Sequence, residues 1–371
     1  MSKIFLEHVV KKYGYITALN DLSLECQDRE FVVILGPSGA GKTSTLRMIA
    51  GVEAITSGNI WFDDQLVNEM PPGERETAMV FENYNLYPHM TVFDNLAYPL
   101  RVPKRAASYA KEDVTEQVHR IANMLGIDTL LNRMPDQLSG GQKQRVSLGR
   151  AMVRMPKVFL LDEPIAHLDA KLRHQLRAEF KRLSREFNST IIYVTHDYKE
   201  ALSLGDKVAI IKKGELQQVG TPEQIFSEPA NTFVADMIGE PAMNLIPAKL
   251  LIEQERLFCT AKGFKIELGD YERQAVLSCG KNVSQVYMGI RPMYLSIANG
   301  SENKDAISGE IYITEPLGYK TQISVQINKQ LFYVIVTGDY SYSIGDKLVL
   351  IPNKQKILLF DRENGRRITI V

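Results

Sequence analysis

A glycine-rich loop between a predicted strand and a predicted helix constrains the fold of this chain more than any other feature. Residues 36–43 read Gly-Pro-Ser-Gly-Ala-Gly-Lys-Thr; the apolar run Phe31–Leu35 precedes them, and a helix predicted over Thr43–Ala50 follows. Glycines let such a loop turn tightly, so that its backbone N–H groups surround phosphate oxygens. The chain is therefore predicted to hold phosphate between a buried strand and a helix N-terminus.

Several side chains of this loop have predicted roles in nucleotide binding. Lys42 places its ammonium group on the β- and γ-phosphates, and the Thr43 hydroxyl binds Mg²⁺. The other predicted nucleotide contacts here are Ser38, Gly39 and Gly41 of the loop, and Ser44 directly after it. Because so short a string also arises by chance, two later motifs decide its interpretation.

The first of these motifs is an acidic pair at the end of a strand. The apolar run Val158–Leu161 is followed at once by Asp162 and Glu163. Asp162 is predicted to hold Mg²⁺, directly or through water. Glu163 would lie beside the γ-phosphate as a general base or as the group that orients the attacking water. A buried strand followed by a plain surface turn would explain the apolar run but not the acidic pair.

The second motif is a short polar stretch before a predicted helix. Ser139, Gly140, Gly141 and Gln142 precede or begin a helix predicted from Gln142 to about residue 153. Small residues at a helix N-terminus leave N–H groups accessible to an anion, and the helix dipole favours negative charge there. The stretch could equally be an ordinary helix cap, so its meaning depends on its order relative to the other motifs.

Length and composition fit a two-domain protein. The chain has 371 residues, and 44 basic residues balance 44 acidic ones, so no broad nucleic-acid-binding face is expected. The cysteines Cys26, Cys259 and Cys279 show no metal spacing and are expected to be reduced thiols of a cytosolic protein. No signal stretch and no uncharged apolar run of about eighteen residues is present, so work at a membrane would need a partner that spans it.

The periodicity predicts an α/β region followed by a β region. Residues 1 to about 235 alternate apolar strands with amphipathic helices, and residues 91–151 are predicted to form an inserted helical subdomain. The predicted buried strands are Phe31–Leu35, Thr77–Phe81, Val158–Leu161, Thr190–Thr195 and Lys207–Ile211. A further helix is predicted over Lys171–Phe187.

After about residue 240 the helical periods give way to alternating runs separated by Gly, Asn, Asp and Pro. The clearest runs are Ser284–Ile290, Glu310–Thr314, Gln322–Ile327 and Leu331–Thr337. This pattern predicts small barrel-like sheets. The predicted domains are therefore residues 1–238, which bind nucleotide, and residues 239–371, a β domain.

In their order along the chain, the loop 36–43, the Ser-Gly-Gly-Gln stretch and the acidic strand end resemble the ATP-binding cassette (ABC) family of ATPases. Tyr13 resembles the aromatic residue that stacks on adenine in that family, and His196 resembles its switch histidine, which contacts the γ-phosphate. Asp169 matches the loop that crosses the dimer interface. The resemblance implies ATP and Mg²⁺ as ligands and a P-loop NTPase fold.

The same resemblance implies a dimer. Ser139, Gly140 and Gly141 of one subunit would close over the ATP held by Lys42 of the other. The partner would be an identical chain or a different ATPase subunit, and the sequence leaves both possibilities open.

Further motifs are similar to those of carbohydrate importers of the maltose and glycerol-phosphate class. Asn83–Thr91 is similar to the loop that faces the membrane subunits in that class. The tail motifs that resemble its OB-like regulatory domain (TOBE/MOP type) are Gly239–Asn244, Gly289–Pro292, Glu315–Gly318 and Leu359–Asp361. The likeness implies two membrane-spanning permease subunits and an extracytoplasmic substrate-binding protein as partners. The ATPase would then be a peripheral protein on the cytoplasmic face of the bacterial inner membrane.

Three positions depart from the family pattern. Glu82 replaces a Gln that normally reaches Mg²⁺ and the attacking water, so we expect Glu82 to be a metal ligand and part of the catalytic site. Residues 166–169 read Ala-His-Leu-Asp where Ser-Asn-Leu-Asp is usual, and Met293 stands where Glu is common. The substitutions fit either neutral change within an active enzyme or pairing with a second, different ATPase subunit.

Other functions remain as alternatives at this stage. The chain could drive import of another solute, such as a polyamine, ferric ion or sulphate. Cassette proteins of DNA repair need long coiled coils between the phosphate-binding loop and the Ser-Gly-Gly-Gln stretch, and this chain has fewer than about a hundred residues there. Cassette proteins of translation carry two phosphate-binding loops, whereas this chain has one. A purely regulatory role, with ATP as a signal, would be excluded by turnover coupled to transport.

Overall fold

The computed structural model describes residues 3–81, 85–102, 110–154, 156–166, 168–186, 189–279, 283–298, 305–327, 329–338 and 342–370. Contacts divide the chain into two compact units, Met1–Glu223 and Gln224–Val371. The predicted boundary at 238/239 follows the change in sequence pattern and stays a prediction about the extent of the nucleotide-binding domain. Among the helices of the described ranges, none has both the length and the apolar character needed to cross a bilayer.

The first unit contains strands β1 to β10 and helices α1 to α6. The strands are β1 (Ile4–Tyr13), β2 (Ile16–Cys26), β3 (Phe31–Leu35), β4 (Ser57–Phe62), β5 (Gln65–Leu66), β6 (Thr77–Val80), β7 (Val158–Asp162), β8 (Thr190–Thr195), β9 (Lys207–Lys212) and β10 (Glu215–Gly220). The helices are α1 (Lys42–Ile49), α2 (Val92–Arg101), α3 (Lys111–Met124), α4 (Gly140–Met152), α5 (Ala170–Glu186) and α6 (Tyr198–Leu204).

A six-stranded sheet forms the centre of the first unit. Its strand order is β10-β9-β3-β8-β7-β6, and every pair except β10 with β9 is parallel. All residues of β3, β7 and β8 are buried, as their uninterrupted apolar sequences predict. The five predicted buried strands are thus confirmed to within one or two residues. Because parallel strands share an edge at their carboxyl ends, the segments after β3, β7 and β8 converge there.

A second, antiparallel sheet was not predicted from the sequence. Its strand order is β2-β1-β4-β5. The pairing of β1 with β2 shifts register at three places, and β1 shifts again against β4. Such irregularities interrupt the period-two alternation by which a half-buried strand is recognised. This sheet positions Tyr13, the last residue of β1.

The predicted helical subdomain is confirmed as α2, α3 and α4, with two 3₁₀ turns at Asp128–Leu130 and Pro135–Gln137. The start of α2 is fixed by its cap, since Thr91 Oγ1 accepts a hydrogen bond from the Asp94 N–H at 3.1 Å. The fully buried Asn95 donates from Nδ2 to the carbonyls of Tyr87 and Met90. These bonds hold the segment before α2 against the helix.

The second unit consists mainly of two antiparallel five-stranded sheets. Helix α7 (Pro222–Ser227) spans the division, and α8 (Thr232–Met237) and α9 (Asp270–Ser278) follow. The strands are β11 (Asn244–Glu253), β12 (Arg256–Ala261), β13 (Phe264–Glu267), β14 (Gln285–Ile290), β15 (Leu295–Ile297), β16 (Ile307–Pro316), β17 (Lys320–Ile327), β18 (Gln330–Thr337), β19 (Lys347–Pro352) and β20 (Leu358–Asp361).

The sheet orders are β13-β12-β11-β14-β20 and β15-β19-β16-β17-β18, and one apolar core includes residues of both sheets. The predicted barrel-like β region is therefore confirmed. Helix α9 was not among the predicted elements. It buries only Ala275 and Val276 fully, so its sequence carries too short an apolar stripe to signal a helix.

Candidate active site

The glycine-rich loop connects β3 to α1 at the carboxyl edge of the central sheet. Gly41 has φ +102°, and a Cβ atom there would lie 2.5 Å from the Ala18 carbonyl oxygen and 2.6 Å from a Leu19 methyl carbon. Only glycine therefore fits at this position. No side chain caps α1, and its first turn carries no acidic residue. Its N-terminal N–H groups and dipole thus suit an anion.

Lys42 lies within this loop and is buried. Its ammonium group donates to the carbonyls of Gly36, at 2.9 Å, and Pro37, at 3.1 Å. Lys42 Nζ also lies 3.8 Å from Glu163 Oε1. The burial makes this cation a strong attractor for phosphate, because the charge is poorly screened by water.

Thr43 and Asp162 bring two oxygen atoms together beside the loop. Thr43 Oγ1 donates to Asp162 Oδ1 at 3.0 Å, and Asp162 is buried at the end of β7. Hydroxyl and carboxylate oxygens suit Mg²⁺. In the described part of the chain, no group of three or more His, Cys, Asp or Glu side chains is arranged to hold a metal. A magnesium ion here would need further oxygens, such as those of nucleotide phosphates.

Glu163 adopts a backbone conformation that is rare for a side-chain-bearing residue, with φ +46°. Its N–H donates to the Val194 carbonyl at 3.0 Å, which ties the turn after β7 to β8. Its Oε2 lies 2.9 Å from Nδ1 of His196, which follows β8. The structure therefore brings together the side chains of Lys42, Glu163 and His196, which are far apart in the sequence.

Tyr13 lies near the same loop and is partly exposed. Its hydroxyl donates to the Glu53 carboxylate and lies 3.3 Å from Ser44 Oγ. The Lys11 ammonium group lies over the ring, 4.7 Å from its centroid. Burial, together with the bond to Glu53, raises the pKa of the Tyr13 hydroxyl. The ring is thus held in place by its hydroxyl and by a cation, and part of its surface is exposed.

The Ser139 stretch caps helix α4. Ser139 Oγ accepts from the Gln142 N–H at 3.4 Å, and Gln142 Oε1 accepts from the Ser139 N–H at 2.9 Å. This reciprocal pair is a capping box. Ser139 and Gly140 are exposed, whereas a Cβ atom on Gly141 would lie 3.2 Å from a Leu168 methyl carbon. The stretch therefore serves as a cap and also leaves small residues at an exposed helix end.

Asp169 is exposed and directly precedes α5. Its carbonyl accepts from the Arg173 N–H at 2.9 Å, and Arg173 Nη2 donates to the carbonyls of Ala166 and Leu168. Burial lowers the pKa of Arg145, and the Asp169 carboxylate opposes that shift. The segment before Asp169 is thus held by the first turns of α5.

The remaining predicted site residues have varied surroundings. Ser38 and Gly39 are exposed in the loop, and a Cβ atom on Gly39 would meet no heavy atom within 4 Å. Glu82 lies outside the described residues, as do Asn83 and His167.

Sequence reasoning missed two residues that contact the predicted site, namely Glu53 and Gln144. Gln144 is buried in α4, and its Nε2 donates to the Glu163 carbonyl at 3.4 Å. Its spacing from Leu148 and Met152, four and eight residues later, would have placed it on the buried face. A polar residue among apolar residues on one helix face could thus have identified Gln144 as a candidate site residue. Glu53 offered none, because its contact with Tyr13 spans 40 residues of sequence.

A cleft of about 400 Å³ lies beside the helical subdomain. Its walls include Met79, Tyr87, Tyr98 and Arg150. The rings of Tyr87 and Tyr98 are 4.8 Å apart, and the Arg150 guanidinium lies 5.1 Å from the Tyr87 centroid. Arg150 also donates to the Asn85 carbonyl at 2.7 Å. We call this feature the Tyr87 cleft. It is an aromatic groove on the described part of the loop predicted to face membrane subunits.

Comparisons with known proteins agree on one family. The sequence profile described as "ABC transporter" matches residues 19–166, and the "MalK OB fold domain" profile matches residues 239–292. The trehalose/maltose import ATP-binding protein MalK of Thermococcus litoralis is 41% identical and covers 99% of this chain and 100% of its own. The sn-glycerol-3-phosphate import ATP-binding protein UgpC of Ralstonia nicotianae is 50% identical and covers 99% of each chain.

A solved structure is similar to part of the chain. It is the dimeric, post-hydrolysis state of the ATP-binding cassette MJ0796 bound to ADP and Pi. The sequences are 32% identical, the TM-score is 0.55, and the match covers 59% of this chain and 98% of that one.

Proposed function

The chain belongs to the family of ABC transporter ATP-binding proteins, and on that basis we propose that it hydrolyses ATP to drive import of a carbohydrate-type solute. The solute class comprises sugars, polyols, glycerol and glycerol phosphate. Relatives named for trehalose/maltose, sulfoquinovosyl glycerol and glycerol-3-phosphate transport support this class.

The observation that carries the proposal is the convergence of Lys42, Glu163 and His196. Lys42 binds the β- and γ-phosphates of ATP. Glu163 takes a proton from the attacking water or orients that water, and its bond to Nδ1 of His196 leaves Nε2 as the nitrogen that contacts the γ-phosphate. Lys42 and His196 would act on the phosphates and Glu163 on the attacking water, so the cluster fits phosphoryl transfer to water.

We further propose that Mg²⁺ accompanies the nucleotide. Thr43 and Asp162 would hold it, and the adjacency of their oxygens supports the fit. The ion would neutralise charge that develops on the phosphates. Glu82 stays a predicted third ligand.

The working unit is proposed to be a dimer with ATP between subunits. Ser139, Gly140, Gly141 and Gln142 of one subunit would contact the ATP bound by Lys42 of the other, with Asp169 at the crossing. The exposed helix end and the dimeric state of MJ0796 support this arrangement. The partner is an identical chain or a related ATPase subunit.

Two permease subunits and an extracytoplasmic substrate-binding protein complete the proposed transporter, with this chain on the cytoplasmic face of the bacterial inner membrane. The Tyr87 cleft is proposed as the docking site for a permease helix, because its two adjacent tyrosine rings offer apolar contact area beside an arginine. The second unit is proposed to be regulatory, and its match to the MalK OB fold domain supports that role.

The test is ATP hydrolysis by the transporter that co-purifies with the chain, reconstituted in liposomes. Hydrolysis should rise when the binding protein carries a carbohydrate-type solute. Lys42→Ala should lose nucleotide affinity, whereas Ser139→Arg should bind nucleotide without hydrolysing it. In mixed dimers of these two variants, one of the two shared sites has neither lesion and should bind ATP. A monomer that hydrolyses ATP at the full rate of the complex would contradict the shared site.

A further inference from the structure

We propose that Glu200 is a positioning residue for His196, acting through the hydroxyl of Thr195. This inference rests on the proposed function, in which His196 contacts the γ-phosphate. Glu200 itself touches neither nucleotide nor water in that scheme. It is the first-turn acidic residue of α6, the helix that follows the histidine.

The Glu200 side chain is a buried carboxylate that accepts two hydrogen bonds on one oxygen. Glu200 Oε2 accepts from Thr195 Oγ1 and from the Tyr193 hydroxyl, each at 2.8 Å. All three residues are at least 97% buried. Burial raises the pKa of the Glu200 carboxyl, and the two hydroxyl bonds oppose that shift. The hydroxyls are therefore the groups that make this carboxylate tolerable in the core.

Thr195 connects this carboxylate to the turn that carries His196. While its hydroxyl donates to Glu200, Thr195 Oγ1 accepts from the Asp197 N–H at 3.0 Å. A side-chain oxygen that accepts from the N–H two residues later closes a tight local turn. His196 is the residue in the middle of that turn. Its backbone is thus fixed on both sides by one hydroxyl oxygen.

The orientation of that hydroxyl depends on Glu200. A threonine hydroxyl has a single proton to donate. Leaving a buried hydroxyl without an acceptor costs free energy, so the hydroxyl would rotate to donate to another group. Rotation would remove the lone pair from the Asp197 N–H and loosen the turn. The His196 imidazole, now 2.9 Å from Glu163, would lose its fixed position. Misplacement of a reacting group by about 1 Å can cost about 100-fold in rate.

The first test compares Glu200→Leu with Glu200→Gln in the full-length chain within its assembled transporter. Leucine is apolar and leaves the Thr195 hydroxyl without an acceptor. We expect kcat for ATP hydrolysis to fall about 10- to 100-fold while KM for ATP changes less than about twofold, since binding is retained and positioning is lost. Glutamine keeps an acceptor oxygen and should restore most of kcat.

Tyr193→Phe is the matched control. It removes the other hydroxyl that bonds to the same Glu200 oxygen, in the same core, but leaves Thr195 untouched. It should lower the melting temperature and keep kcat. If Tyr193→Phe lowers kcat as much as Glu200→Leu does, the network is merely structural and the proposal is wrong.

The second test is a double-mutant cycle with His196→Ala. If Glu200 acts through His196, Glu200→Leu should lower the residual rate of His196→Ala no further. Additive losses would overturn the proposal. Should Glu200→Leu fail to fold, Thr195→Val and Thr195→Ser replace it: valine lacks the hydroxyl and should lower kcat, whereas serine keeps it. Parental kcat in Thr195→Val would also overturn it.

The outcomes separate this inference from the proposed function. A parent transporter without ATPase activity would refute the proposed function itself. An active parent in which both Glu200→Leu and Thr195→Val retain full kcat would refute only the role of Glu200.

Discussion

The two units each bury one basic residue of a sequence motif, and the two residues have different surroundings. Lys42 in the first unit is the first residue of α1, whose N-terminus no side chain caps, and its Nζ lies 3.8 Å from a Glu163 carboxylate oxygen. Arg291 in the second unit donates to the carbonyls of Phe226, Ala235 and Ile238, and its guanidinium lies 4.2 Å from the Phe226 centroid. The first environment suits an incoming anion; the second uses the cation to satisfy the backbone.

Gly39 and Gly289, one glycine from a motif of each unit, show the same contrast. Gly39 of the first unit has open space around a hypothetical Cβ atom. Gly289, in the same motif as Arg291, would place a Cβ atom 2.7 Å from Met243 Sδ and from a Phe360 ring carbon. At these two positions, the first unit leaves space beside the phosphate-binding loop, whereas the second unit is closely packed. The tail motif around Gly289 therefore indicates how the second unit packs, whereas the loop around Gly39 indicates where a ligand binds.

The largest expected effect is the loss of ATPase activity when Glu163, near Lys42 in the first unit, is substituted. The surroundings of Arg291 in the second unit should be unaffected. Glu163→Gln should lower the ATPase rate about 1,000-fold, because an amide cannot accept the proton that a carboxylate accepts. Nucleotide affinity should persist, since Lys42 and the loop are intact. The measurement is steady-state hydrolysis alongside equilibrium binding of ATP. Lys42→Ala is the contrasting variant and should lose affinity. Near-parental turnover by Glu163→Gln would refute the assignment of the base.

The next effect concerns stability of the second unit. Arg291→Leu should lower the free energy of unfolding of that unit by about 3 kcal/mol, because several buried carbonyls lose their donor. Urea denaturation of the full chain measures it. Arg256→Leu is the control, because Arg256 is exposed and its Nε lies 3.5 Å from a Glu267 carboxylate oxygen in a surface ion pair. This substitution should lower the free energy of unfolding by no more than about 0.5 kcal/mol. Equal costs would show that the Arg291 contacts contribute little.

The sequence predicted the parts of this contrast that depend on local patterns. Uninterrupted apolar runs identified β3, β7 and β8. The glycine-rich loop placed Lys42 between β3 and a helix, and the end of an apolar run placed Asp162 and Glu163 at the end of β7. The common edge of a parallel sheet then brings such segments together, which is why the chemistry could be anticipated.

Contacts between distant segments could not be predicted in this way. Tyr13 bonds to Glu53 across 40 residues, and Gln144 bonds to the Glu163 carbonyl across 19. Neither pair has a spacing rule, because tertiary packing determines both. Likewise, the role of Arg291 depends on carbonyls from α7 and α8, which lie more than fifty residues earlier in the sequence.

Two buried cysteines allow the units to be compared in one experiment. Cys26 in the first unit and Cys259 in the second are buried, and burial raises the pKa of each thiol to about 12. Few thiolates therefore exist at neutral pH, and labelling requires opening of the unit. In Glu163→Gln protein, ATP at about 100 times its Kd should slow Cys26 labelling by about 100-fold and leave Cys259 unchanged.

Mass spectrometry of the labelled peptides measures both rates in the same sample. Cys279 is only partly buried and serves as the control for reagent activity, with equal labelling in both conditions. Equal slowing of Cys26 and Cys259 would mean that the two units open together and do not differ in stability.

The smallest expected effect is a loss of ATP affinity when Tyr13 of the first unit is substituted. We propose that this residue stacks on adenine. Tyr13→Ala should weaken ATP binding by about 2 kcal/mol, which is roughly 30-fold in Kd, because base–aromatic stacking is lost. Tyr13→Trp should retain the affinity. The measurement is a binding titration, with hydrolysis prevented by Glu163→Gln in every variant.

Tyr13→Phe separates the ring from its anchor. Phenylalanine keeps the stacking surface and the Lys11 contact but cannot donate to Glu53, so any loss reports how far that bond fixes the ring. We expect binding free energy to weaken by about 0.5–1 kcal/mol, which is less than for alanine. The bond to Glu53 fixes the ring before ATP binds, so less conformational entropy is lost on binding. Glu53→Gln should reproduce this smaller loss, because glutamine also weakens the bond while leaving the tyrosine in place. If alanine, phenylalanine and the parent bind ATP equally, adenine does not stack on Tyr13, and nucleotide affinity in the first unit then comes from the phosphate contacts alone.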